Sequence, residues 1–528
     1  MDALNLQVRR IDGDLTELLF NPRQVDLRVG ETLTLRERDS GRSVIVQVIA
    51  FRSATYSALF RDQLDSLVGP EPLHAPLLEA IYYDLVLPQS SDDRAEEMGN
   101  IKVALAKIRK TVPAPSGAAP ANGHAQWEQW DGWIPTRDVE VFRTDDREVF
   151  ANATRDLGHR LHLGRTLAGH DFYVEGQDME KVNVITGVKG SGKSHLSKVM
   201  LLQLIAQGAP CIVFDINKEY IHLPKVEVDP RTGQTVRRGI IHLEAGGNFR
   251  LGVRQFGLAP LMTLLKRFGL PEVSALYFEN RLTRLWAEAE ALDRSGDQVP
   301  YIGLEQLIQM AEENEFGSGS SALVVNYAIR SRLEALGNTR IFARTPKEAA
   351  SLGKTYRRIR DGGALIVDIS GLSNLAREGF VQAIIELIKD LCLWEIEHGT
   401  HRFPFIFFEE AHLYVSRQSI DYIVTRARHL GITSFFVTNM IHGLDETILR
   451  QADNLFLLRI PFEDDVRHVS RGAAIDYETM AAFVRRLRQR YALVVGNITA
   501  QYPLMFEVDS LEGVNTAGET RFFFRNKQ

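Results

Sequence analysis

The period of the hydrophobic positions changes along the chain. Over residues 1–60 the pattern is two-fold. Glu31-Thr32-Leu33-Thr34-Leu35-Arg36 alternates polar with apolar, Asp39-Ser40-Gly41-Arg42 carries turn residues, and residues 43–49 read as the returning strand. Residues 100–108 and 138–142 are further strand candidates. Between them, residues 73–86 read as helical or mixed, and residues 111–125, rich in Pro, Ala and Gly, as a mobile loop. Short strands joined by turns predict a small β-barrel over residues 1–150.

From about residue 155 short apolar runs alternate with helical periods, which predicts a parallel sheet. Residues 182–186, 211–216, 364–369, 405–408, 434–438 and 455–459 are all but uninterrupted in their apolar character, as strands covered on both faces must be. Residues 379–396 place Phe380, Ile384, Leu387, Ile388 and Leu391 on one helical face. Residues 256–360 are mainly helical and interrupt the alternation, so they read as an insertion. Residues 491–496 return to β character. The expected organisation is a β-rich domain (1–150), an α/β core (151–255 and 361–510), a helical insertion (256–360) and a tail (511–528).

The candidate chemistry lies at the ends of these strands. Gly187-Val188-Lys189-Gly190-Ser191-Gly192-Lys193-Ser194 satisfies G-x-x-x-x-G-K-[ST] between an apolar strand and a helix that begins near His195. The glycines let backbone N–H groups turn onto phosphate oxygens, and the helix N-terminus adds its positive dipole end. Lys193 would reach the β- and γ-phosphates of ATP, and the Ser194 hydroxyl would ligate Mg²⁺. An ATPase also needs carboxylates, and the run 403–408 delivers Glu409 and Glu410 at its C-terminal end. There Glu409 would support Mg²⁺ and Glu410 would polarise the attacking water. Asp215 or Glu219, at another strand end, could order water or magnesium, or simply form a charged turn. Arg428 could neutralise γ-phosphate charge or sit on a solvated helix end, and Asn439 could sense the γ-phosphate.

Composition narrows the partners. A formal net charge of −6 excludes a globally basic nucleic-acid binder, so any such contact must be local. Cys211 and Cys392 fall in apolar runs and read as buried free thiols of a reducing compartment. No signal peptide is read at Met1, and no apolar run approaches the roughly 18 residues a membrane span needs. A soluble, cytoplasmic protein without a membrane partner is expected.

Together these residues resemble the HerA family of hexameric DNA-translocating ATPases, relatives of FtsK. The resemblance runs over residues 163–508. It rests on Leu163-Gly164-Arg165, the P-loop, Asp215 to Tyr220 (similar to D-x-x-G-E-Y), Glu409-Glu410-Ala411-His412, Arg428-His429-Leu430-Gly431, Gln451-Ala452-Asp453-Asn454 and Arg459. It implies a RecA/FtsK-like P-loop NTPase fold with an N-terminal barrel of the HAS type. It also implies ATP and Mg²⁺ on Lys193 and Ser194, Glu410 as the catalytic acid, and Arg428 as a finger acting on the neighbouring subunit. Lys181 matches a basic residue, usually arginine, that also acts across subunits. The implied partners are double-stranded DNA, further copies in a ring, and a nuclease or sirtuin-like effector, for end processing or antiphage defence. Three departures stand out: Asn217-Lys218 replaces a glycine-bearing turn, Ala427 replaces a glycine, and Asn439 stands where glutamine is common. The rival readings are a ring scaffold that organises an effector and a secretion-type ATPase.

Overall fold

The computed structural model describes residues 3–53, 102–114, 126–136, 138–228, 235–317, 319, 322–415, 429–443, 446–472 and 475–511. The helical or mixed reading of 73–86, most of the loop 111–125, Arg428 and most of the tail lie outside them. The chain forms two compact units. One comprises Met1–Arg155, Ala474–Leu487 and Thr499–Met505; the other comprises Asp156–Ala473, Arg488–Ile498 and Phe506–Gln528.

The first unit is an antiparallel sheet ordered β1 (Leu6–Asp12), β2 (Leu15–Phe20), β5 (Lys102–Val112), β4 (Ser43–Ser53), β3 (Thr32–Glu37) and β7 (Val139–Arg143), with β6 (Glu128–Gln129) on β5. The alternation of β3 and β4 sets their register: Leu33 faces Val46 and Leu35 faces Val44, all fully buried, while the turn between the strands needs Gly41 at φ 67. A bridge between Leu4 and Val141 brings the first strand's lead-in against β7, so the sheet curls barrel-like around one apolar core.

Two segments from the stretch read above as ATPase complete this unit. The Tyr502 hydroxyl lies 2.7 Å from Thr32 Oγ1, and its ring packs on Trp127 with centroids 5.6 Å apart. Arg109 donates to Asp476 Oδ2 at 3.2 Å and to Thr479 Oγ1 at 2.6 Å. Asp476 also caps the helix Tyr477–Val484. Burial acts to raise the Asp476 pKa, but the bonds from Thr479 and Arg109 outweigh it and hold the carboxyl below its ordinary 3.8. A depressed carboxylate stabilises the fold above its unfolded pKa, and that contribution disappears as pH falls through the folded value. Arg109→Ala is expected to cost about 2 kcal/mol at neutral pH in denaturant unfolding. The gap from wild type should narrow as the pH falls from 3.8 through the lower folded value. An equal gap at neutral and acid pH would contradict the pairing.

The second unit is built on eleven strands ordered β14-β15-β11-β16-β17-β10-β18-β19-β20-β8-β9. Seven are parallel: β14 (Ile240–Glu244), β15 (Gly363–Asp368), β11 (Pro210–Asp215), β16 (Phe405–Glu409), β17 (Thr433–Thr438), β10 (Val182–Thr186) and β18 (Asn454–Leu457). The sheet is mixed rather than purely parallel. β19 (Tyr491–Gly496) runs antiparallel to β18, and β8 (Arg160–Thr166) runs antiparallel to both β9 (Asp171–Glu175) and β20 (Leu504–Val508). A separate pair, β12 (Glu227–Val228) and β13 (Thr235–Arg237), stands outside it. Stacked phenylalanines knit the central strands: Phe214 to Phe408 at 5.3 Å and Phe408 to Phe436 at 5.2 Å on one face, Phe407 to Phe435 at 4.3 Å on the other. Between β14 and β15 the chain forms Leu258–Arg267, Glu272–Ser295, Leu304–Glu312, Ala322–Gly337 and Leu352–Arg357, the helices that the sequence pattern predicts.

Candidate functional site

Strand order and register create the site. Thr186 pairs with Thr438, Phe408 with Phe436, and Phe214 with Phe408, so the carboxyl ends of β10, β17, β16 and β11 lie level. Ligands bind at this edge of open α/β sheets. It gathers, strand by strand, the glycine loop, Asn439, Glu409-Glu410 and Asp215.

The loop after β10 is held from distant sequence. Val188 N donates to Arg459 O at 2.9 Å, and Arg490 N donates to Ser191 O at 3.2 Å. Gly187 has φ 156, and a Cβ there would fall 2.9 Å from both Leu458 Cβ and Ser191 Oγ. Gly192, at φ 110, begins the helix Lys193–Ala206 in a left-handed conformation that glycine adopts readily. Lys193 Nζ donates to Val188 O at 3.1 Å. Burial lowers its pKa, and the charges of Glu410 and Glu409 oppose that shift. Ser194 is partly buried on the first turn of the helix. His195, on the same turn, has Nε2 2.7 Å from Asp509 O. Burial lowers its pKa as well.

The two acids differ. Glu409 is 5% exposed, and burial, with the charges of Glu219 and Asp215 adding to it, pushes its carboxyl up to about 8. It accepts a hydrogen bond from the Tyr220 hydroxyl. Glu410 has φ 50, in the sparsely populated left-handed region where functional side chains are often re-aimed. Its Oε1 accepts from Asn439 Nδ2 at 3.1 Å, while Oε2 is buried without a hydrogen-bond partner. His412 Nδ1 lies 3.5 Å from that oxygen and 2.9 Å from Thr438 Oγ1.

The remaining candidates spread out. Asp215 is buried, and its oxygens accept backbone N–H bonds from Asn217 (3.1 Å), Glu219 (3.1 Å) and Tyr220 (2.9 Å), so it shapes the following turn. Glu219 lies 3.5 Å from Lys198. Lys181 is exposed at the N-terminal end of β10, on the order of 15–20 Å along the strand from this loop. Arg428 lies outside the described residues. Sequence reasoning left four participants without a role: Arg459 and Arg490, whose backbones brace the loop, and Ser197 and Tyr220, which reach Glu409. Tyr220 and Arg459 carried a signal, the first as the last residue of the Asp215 motif and the second as one of the residues of the family resemblance.

Residues 161–388 match the family model described as Helicase HerA, central domain. The DNA double-strand break repair helicase HerA of Sulfolobus acidocaldarius is 25% identical over 181 residues, 31% of this chain and 35% of that protein. The chain thus spans about a third of the length of that curated relative. Among solved structures, VirB4 of Thermoanaerobacter pseudethanolicus shares the fold with a TM-score of 0.50 at 15% identity, covering 68% of this chain and 99% of that one. The bacterial conjugative coupling protein TrwB aligns with a TM-score of 0.47 at 13% identity, over 67% of this chain and 89% of that one. From β8 through the glycine loop into the helix Asn374–Glu397, this α/β fold carries the stretch that is similar to the HerA central domain.

Proposed function

We propose that this chain is a ring-forming HerA-type ATPase that hydrolyses ATP to move along double-stranded DNA. The observation that carries the reading is the placement of Glu410, held on Asn439 at the end of β16 and facing the charge of Lys193. A carboxylate so placed accepts the proton of a water attacking the γ-phosphate. Asn439 ties that acid to the end of β17, a position from which it can report the γ-phosphate.

The loop fits a nucleotide. Gly190 faces open space, and Ser191 Oγ is buried without a partner, so a backbone-lined cradle stands ready for phosphate oxygens. Ser194 and Glu409 fit Mg²⁺, which takes few protein ligands beside phosphate oxygens and would supply charge neutralisation there. Among the described residues no cluster of three or more His, Cys, Asp or Glu is arranged as a dedicated metal cage. The ring is proposed to be a hexamer, with Arg428 and Lys181 acting on neighbouring sites. The N-terminal unit is proposed to dock a nuclease or sirtuin-like effector.

The test is steady-state ATP hydrolysis with and without linear duplex DNA, alongside displacement of a triplex strand from that duplex. DNA-stimulated turnover with displacement is expected. Turnover indifferent to DNA, without displacement, would overturn the motor and leave a ring scaffold as the better account.

A further inference from the structure

The hydroxyl of Tyr220 joins three elements that are remote in sequence. It lies 2.8 Å from Ser197 Oγ, on the P-loop helix, and it donates to Glu409 Oε1 at the end of β16. Ser197 sits three residues beyond Ser194, on the same helical face, so the contact reports the position of the turn that carries the metal-side hydroxyl. The ring itself is fixed. Tyr220 is 0% exposed, its backbone N–H is bound to Asp215 Oδ2, and Lys198 Nζ lies 5.4 Å from the ring centroid. A phenol has one proton to give. Given to Glu409 Oε1, it fixes that oxygen, and Ser197 hydrogen-bonds the same carboxyl.

We infer that Tyr220 is a positioning residue that orients Glu409 for the metal–nucleotide complex and couples it to the P-loop helix; this rests on the ATPase reading above. A tyrosine that merely filled the core would need the ring and not the hydroxyl. Here the hydroxyl ends on a buried acid, and the turn that presents it is itself shaped by Asp215. Groups behind a metal ligand commonly change metal affinity by 10–100-fold when removed.

Tyr220→Phe keeps the ring and deletes the link. The full-length variant is expected to retain its melting temperature. With a non-hydrolysable ATP analogue present, its Mn²⁺ affinity, read by electron paramagnetic resonance of free Mn²⁺, should fall about 10–100-fold. At saturating metal the KM for ATP should stay near wild type while kcat falls. Ser197→Ala removes the other hydroxyl bonded to the same carboxyl, and it serves as the second variant should Tyr220→Phe fold poorly. Wild-type protein that binds Mn²⁺ with the analogue, with Tyr220→Phe binding it as tightly, overturns the inference alone. Wild-type protein that binds no Mn²⁺–nucleotide overturns the ATPase reading and this inference with it.

Discussion

Glu410→Gln is expected to bind ATP and retain its assembly but to lose about 10²–10⁴-fold in turnover. The substitution preserves shape, and the glutamine carbonyl can still accept from Asn439 Nδ2, which holds Glu410 Oε1 at 3.1 Å. What disappears is the capacity to take a proton at the buried, unpartnered Oε2. Because the P-loop contacts are untouched, ATP affinity measured by filter binding should stay within a few-fold of wild type. The left-handed backbone at Glu410 matters here, since φ 50 re-aims the side chain away from the direction that Glu409 takes. The two neighbouring acids should therefore fail differently. Glu409→Gln should respond to metal concentration, and Glu410→Gln should not. A Glu410→Gln protein with wild-type turnover would remove Glu410 from the chemistry and leave Asn439 as packing.

Arg428→Ala is expected to assemble and bind ATP but to hydrolyse it about 10³–10⁵-fold more slowly, the range found when an arginine finger is lost. Arg428 lies outside the described residues, so the expectation rests on chemistry and on the family motif. A guanidinium is permanently charged and forked, and it matches γ-phosphate oxygens in a way that lysine does not. A ring motor must also let one site sense the next, and an arginine completing the neighbour's site is the simplest such link. Mixing separates this role from an interface ion pair. Arg428→Ala and Glu410→Gln subunits are each expected to be nearly inactive alone, and in mixed rings some interfaces would regain both groups. Partial recovery of ATPase activity is the expected result. Confirmed mixed rings without recovery would return Arg428 to structure.

Much of the core was legible because burial on both faces leaves a signature in the sequence. Residues 182–186 form β10 as read, and the runs at 211, 364, 405, 434 and 455 became β11, β15, β16, β17 and β18 within two residues at either end. The glycine loop was legible because glycine adopts most readily the φ values at Gly187 and Gly192, and the paired acids because they close an apolar run. The antiparallel extension by β8, β9, β19 and β20 was not legible, since a strand's period does not name its neighbour.

The sequence by itself therefore determined the parallel strands, the glycine loop and the two acids that close β16, because local burial and special backbone angles restrict residue types. Tertiary structure decided everything that depends on who meets whom. It inserted β17 between β10 and β16, which brings Asn439 to Glu410. It braced the glycine loop with the backbones of Arg459 and Arg490. It returned Tyr502 and Asp476 to the N-terminal sheet, and it set the Tyr220 hydroxyl between Ser197 and Glu409. Such contacts join residues tens to hundreds of positions apart. A hydroxyl or a backbone carbonyl leaves no periodic trace of its partner, so only the packed sheet and its register could place them.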